Sequence, residues 1–318
     1  MKTRSRSFAA SFSMCHTLTI SLINYEAKSM RIGKVNTAFC EGGESPLWDA
    51  SEQALYFIDN FGKKAHRYQP DIGETRTWDM PEIITAFALR AGGGAVVALR
   101  SGIHLLDLVT GALDCLSRLT EPRPHGFNDG KVDRRGRFMI GASTANISSP
   151  TPDGGLLRLD PNHNLTQLDK GIHFSNGPCW SPDDKTFYFS DSWLNNIYAY
   201  DYELATGQVA NRRIFVNTAD LGGVPDGATV DSEGRLWVAI YGAGKIVAFS
   251  PDGTLERTIS MPVRLVSSIT FGGANLERLY ATTIAYGIGG EPREEGAGLV
   301  YVVDGLNVRG VPEPRFGG

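Results

Sequence analysis

Four cysteines, Cys15, Cys40, Cys115 and Cys179, are scattered through 318 residues without a C-x-x-C pair. That spacing offers neither a zinc ribbon nor a redox dithiol. Thiols so dispersed are expected to be buried and inert in a reducing compartment, which points to the cytoplasm. The formal net charge is -4, and the 31 Lys and Arg residues form no basic stripe, so a nucleic-acid surface is not expected. No run reaches the roughly 20 apolar residues of a membrane span. There is no G-x-S-x-G elbow to present a hydrolase serine. The six histidines never fall four apart, so the helical zinc-binding pair is absent as well. Gly92-Gly93-Gly94 and the glycines of 287–290 lack a strand-to-helix context and read as hairpin turns rather than phosphate loops.

Glycine, by contrast, is abundant at 37 residues, and short alternating apolar runs recur between turn signals, the pattern of an all-β chain. One stretch shows the design: His125-Gly126-Phe127-Asn128-Asp129-Gly130-Lys131-Val132-Asp133, then Arg134-Arg135-Gly136-Arg137 and Phe138-Met139-Ile140-Gly141. It holds a polar corner, a short strand, an Asp-x-x-Gly-Arg turn and a second apolar strand. Comparable units open at Glu44, Thr85, Asn128, Asn176, Asp226 and Ser268, at intervals of about 40 to 50 residues, the period of a four-stranded propeller blade. Six such units predict a six-bladed β-propeller of antiparallel blades around a central channel. Each blade buries its faces only on its neighbours, so residues 31–318 are expected to form one domain. Trp48, Trp180 and Trp237 recur at matching places and read as core between blades.

Residues 1–30 differ from the rest. Lys2, Arg4 and Arg6 precede an apolar run broken by Ser11, Ser13, His16 and Thr17, with no clean small-x-small cleavage site, so an export signal is not the reading. An extension without fixed structure, or an upstream start with Met30 as the natural initiator, is expected.

The repeat sets a polar residue at the start of the innermost strand of each blade, beside the channel. Three of these carry oxygen at a Gly or Pro corner: Glu44 in Gly43-Glu44-Ser45-Pro46, Asn176 in Ser175-Asn176-Gly177-Pro178, and Asp226 in Pro225-Asp226-Gly227. Carboxylate and amide oxygens converging from separate blades suit a hard divalent cation such as calcium, magnesium or manganese. Zinc is less favoured, because it normally recruits nitrogen or sulfur. Asn-Gly and Asp-Gly are also the commonest turn dipeptides; the matching position in three repeats is what argues for a site. Asp133, Asp183 and Ser232-Glu233 fall at outer turns of the repeat and read as structural.

Over residues 32 to the end the chain resembles the SMP-30/regucalcin and gluconolactonase group. The matching segments are Gly43 to Trp48, Asn128 to Asp133 with Gly136-Arg137-Phe138, Ser175-Asn176-Gly177, Asp201 through Arg213, Pro225-Asp226-Gly227 with Gly234 to Ala239, and Phe271-Gly272-Gly273. The resemblance implies a six-bladed propeller whose Glu44, Asn176 and Asp226 bind one divalent metal, calcium foremost, with Mn, Mg or Zn as alternatives. For Asn128 it implies a contact to the substrate or completion of the metal sphere through a water. Members often carry Arg two residues before that Asn, but this chain has Gly126, which leaves Arg123 and His125 as the nearest replacements for holding substrate.

The expected activity is metal-dependent hydrolysis of a sugar (aldono-) lactone, with Asp226 taking the proton of the attacking water or orienting it. The rivals are a calcium-binding regulatory protein with little catalysis, which the missing Arg favours, and a scaffold propeller that binds a protein and no metal. A monomer or weak homodimer is expected.

Overall fold

The computed structural model describes residues 29–119, 125–144, 149–287 and 293–318. These residues form six four-stranded antiparallel sheets, arranged in a ring as a six-bladed β-propeller. The innermost strands are Gly43–Asp49, Ile84–Leu89, His125–Val132, Ser175–Trp180, Val224–Val230 and Val266–Gly272, for blades 1 to 6 in that order. Each begins within three residues of the opening position that the repeat marks. Among the described residues the only helical turns are two short 3-10 turns, Ser192–Leu194 and Ala219–Leu221. No helix there is long and apolar enough to cross a membrane.

Burial explains why the strand signals differ in strength. A strand covered on both faces reads as a continuous apolar run, as in Ala95–Leu99, buried throughout, whereas an outermost strand such as Leu255–Ser260 buries only Ile259. Blades pack through large aromatic side chains, as the recurring tryptophans suggest. Trp48 of blade 1 stacks on Tyr280 of blade 6 with ring centres 5.4 Å apart, and Trp237 of blade 5 meets Phe271 of blade 6 edge-on at 5.8 Å. Pairs of this kind favour offset or edge geometry and add to the area they bury.

Two features close the molecule. Sequence reading identifies three strands in the sixth unit; the fourth, Arg31–Lys34, comes from the other end of the chain and pairs antiparallel with Tyr301–Asp304. Most of the extension expected over 1–30 lies outside the described residues, and so do Gly289 and Gly290. The second feature is the C-terminal tail, residues 305–318, which crosses the end of the channel where the inner strands finish. Backbone bonds tie it to blade 5 (Ser232 N–H to Arg309 O, 2.7 Å), blade 2 (Phe316 N–H to Leu89 O, 2.8 Å) and blade 3 (Gly317 N–H to Gly136 O, 3.0 Å). Arg315 pairs with Asp49 of blade 1 at 2.6 Å. The tail therefore plugs one end and leaves the other, where the inner strands begin, for a site.

The outer Asp turns are structural, as read. Asp133 accepts from the N–H groups of Arg135 and Arg137, from Arg137 Nε at 2.6 Å and from the Tyr202 hydroxyl. Asp231 does the same for Glu233, Arg235 and the Trp237 indole. Cys40 and Cys179 are buried as expected, but Cys115 is exposed, because it sits on the outermost strand of blade 2, Leu113–Arg118.

Candidate metal centre

Each site-bearing inner strand starts with a bulge. Pairing with the neighbouring strand slips between Glu44 and Leu47, Phe127 and Gly130, Asn176 and Cys179, and Pro225 and Ala228. A bulge takes residues out of the ladder and re-aims their side chains, here toward the channel. The geometry is demanding: Gly177 has φ +59, and a Cβ on it would lie 2.8 Å from the Asp226 carbonyl oxygen. At the equivalent place after Glu44 stands Ser45, a non-glycine residue with φ +47, and such backbone strain is typical of functional sites.

Glu44, Asn128, Asn176 and Asp226 all line one cavity of about 370 Å³ at the open end of the channel, with Phe61 and Trp193 among its walls. Four residues from blades 1, 3, 4 and 5 thus meet, as their repeat positions suggested. Arg123 and the side chain of His125 lie outside the described residues.

A chain of hydrogen bonds orients the amides. The Ser192 hydroxyl donates to Pro225 O at 2.6 Å, so its oxygen must accept from Asn176 Nδ2 at 2.9 Å. That turns Asn176 Oδ1 toward Asn128, whose Nδ2 reaches it at 3.0 Å and also donates to Ser175 O at 2.7 Å. Because only the NH₂ of an amide can serve a backbone carbonyl, Asn128 Oδ1 is left for a ligand.

The acids are held against their own charge. Burial pushes the Glu44 carboxyl well above the usual range, and the charges of Asp226 and Asp129 push it further. Asp226 rises for the same first reason, then through Asp129. Asp129 is raised by burial, although Lys131 and the N–H groups of Gly177 and Gly130 oppose the rise. Buried carboxylates that repel one another, together with an amide oxygen, form a hard-oxygen set that a divalent cation would neutralise. The donor set fits such an ion.

Several contributors were not legible. Ser192 belongs to a Phe-x-Asp-polar recurrence, Phe57-Ile58-Asp59-Asn60 and Phe189-Ser190-Asp191-Ser192. Each Asp braces the segment entering its own blade: Asp59 accepts from the N–H groups of Glu41 and Gly42 at 3.0 and 2.8 Å, and Asp191 from those of His173 and Phe174 at 3.0 and 3.2 Å. Cys40, Asp59 and His66 also gather within 4.8 Å as a buried group able to hold an ion. Arg100 is the other omission. It lines a side chamber of about 150 Å³ that shares Asn60, Phe61, Asn128 and Phe174 with the main cavity. A Cβ at Gly126 would meet Arg100 Cγ at 3.3 Å, so blade 2 sends a guanidinium to the space beside position 126.

The sequence pattern described as the SMP-30/Gluconolactonase/LRE-like region matches residues 42–285. The chain belongs to this family. Regucalcin of Xenopus laevis is 34% identical over 283 residues, covering 87% of this chain and 95% of that protein. A solved luciferin-regenerating enzyme superposes with a TM-score of 0.86 at 28% identity, covering 91% of this chain and all (100%) of the other. A gluconolactonase of Xanthomonas campestris shares the fold, with a TM-score of 0.70 at 23% identity over 87% and 90% of the two chains. Family membership thus agrees with the resemblance read from the motifs.

Proposed function

We propose that the chain hydrolyses a lactone with one divalent cation held by Glu44, Asn176 and Asp226. The observation that carries this reading is the convergence of half-buried Glu44 and buried Asp226, carboxylates that repel each other, with an oriented amide oxygen at the floor of an open cavity. A cation bound there supplies positive charge to a carbonyl oxygen and acidifies a water. Asp226 takes up the water's proton or orients the water; a cation beside it lowers its proton affinity, so the acidified water carries much of the activation. Asn128 directs its Oδ1 at the ring or carbonyl-bearing part of the ligand. Arg100 meets a ligand oxygen that extends into the side chamber.

The test is lactone opening, with an aldonolactone first, after chelation and after return of Ca²⁺, Mn²⁺, Mg²⁺ or Zn²⁺. Restoration by one of these ions is expected. Asp226→Asn should lower kcat at least about a hundredfold, the scale on which general-base catalysis contributes, and Asn176→Ala should weaken metal binding. Full activity in chelator would sink the reading. A second reading, a calcium-binding protein without turnover, is favoured by the Gly126 departure and the regucalcin relatives. It predicts tight Ca²⁺ binding by the same residues and no lactone opened with any metal.

A further inference from the structure

Among the described residues, the polar side chains of the main cavity are Glu44, Asn128, Asn176 and Asp226 at its floor, with Asn60, Ser192 and the Tyr241 hydroxyl elsewhere in the lining. The rest of the described lining is apolar: Phe61, Pro150, Phe174, Trp193, Val224, Ile284 and the ring of Tyr241. Phe61 and Trp193 stand about half exposed at the mouth, an arrangement that costs hydration unless a ligand covers them. Polar partners for a hydroxylated ligand are few on these walls. Ser192 already spends its only proton on Pro225 and one lone pair on Asn176, so it has no donor left for a ligand. No Lys or Arg is among the described residues lining the main cavity; Arg100 belongs to the side chamber. Hydroxyls moved from water onto Phe174, Trp193 and Ile284 would lose hydrogen bonds without replacement, whereas an aryl or alkyl group would gain by leaving water.

We propose that the lactone taken by this cavity carries an aromatic or alkyl body, not a polyhydroxylated chain. Its ester end lies on the polar floor and its apolar body lies between Phe61, Phe174 and Trp193. The inference rests on the lactonase reading for the ester end, but the walls select the body independently of turnover.

The experiment uses the full, metal-loaded chain and two six-membered lactones with alkyl leaving groups, δ-phenyl-δ-valerolactone and glucono-δ-lactone. Rates are normalised to each compound's hydroxide-catalysed opening. A preference of about tenfold or more in kcat/KM for the phenyl lactone is expected, reduced toward parity by Trp193→Ala. A preference for glucono-δ-lactone that survives Trp193→Ala would overturn the proposal. Calorimetry with the matching cyclic ethers, 2-phenyltetrahydropyran and 1,5-anhydroglucitol, separates ligand class from chemistry. The phenyl ether bound in a chain that opens neither lactone would defeat the lactonase reading and support the ligand class. The anhydroglucitol bound, and the phenyl ether not, would defeat the ligand class whatever the turnover.

Discussion

Gly126 and Arg100 show how one position's chemistry moves to another blade. With no side chain at 126, the Arg100 stem occupies the adjacent space, at 3.3 Å from where a Cβ would be. Arg100→Ala should raise KM about tenfold with a smaller change in kcat, the scale of one charge-assisted hydrogen bond. Adding Gly126→Arg to that variant should recover most of the loss, whereas Gly126→Arg alone should crowd Arg100 and shift lactone selectivity. Steady-state kinetics on the three variants checks this, and unchanged KM in Arg100→Ala would remove Arg100 from the site. His66 offers a different test at the same scale. Burial pulls its pKa from 6.5 to about 4, so the folded chain keeps it neutral while the unfolded chain takes up a proton first as pH falls. Its contribution is therefore present above pH 6.5 and lost between 6.5 and 4, about 3 kcal/mol in all. Glu44 and Asp226, raised on folding, act with the opposite sign. The comparison is thus wild type against His66→Gln: the variant's stability should fall less steeply over that interval in denaturant titrations.

The bulged inner strand is the element on which the site depends, and its supports lie outside it. Asp59 and Asp191 fasten the segments that lead into Glu44 and Asn176, and Ser192 turns the Asn176 amide. Ser192→Ala removes the acceptor of Asn176 Nδ2 without touching a carboxylate. Metal affinity should drop about tenfold, as expected when a partner of a ligand is lost, with little change in melting temperature. A metal titration followed by calorimetry reads it; unaltered affinity would mean that Asn176 is oriented by Asn128 alone.

At the scale of the whole molecule, the ring is held shut by both chain ends. Arg31–Lys34 completes blade 6, and the tail inserts Glu313 against Lys131 at 2.8 Å. Burial is the largest influence on Lys131 and disfavours its charge, but Glu313 together with Cys179 and Asp129 outweighs it and raises the pKa. Glu313→Ala leaves that charge without its nearest partner and should destabilise the protein by about 3 kcal/mol. Glu313→Ala/Lys131→Met, which removes both charges, should recover much of it. Chemical denaturation of the pair measures this. Deleting residues 1–36 should lower the melting temperature more than Glu313→Ala does, since it exposes an unpaired edge along Tyr301–Asp304.

The sequence by itself determined the blade count, because every blade repeats one pattern of turn residues and apolar alternation at short range. It also brought out Glu44, Asn176 and Asp226, since equivalent positions in a ring of equivalent blades must face the same channel, while Asn128 came from the family resemblance. It was silent where partners are distant in the chain and follow no repeat. Arg31 pairs across the ring closure with Asp304, Glu313 reaches Lys131 over 182 positions, and Arg100 lies against Gly126 across a blade boundary. Nor did it show the apolar walls above the polar floor: Phe61, Phe174 and Trp193 come from connections between strands, and only the ring's closure sets them around one cavity.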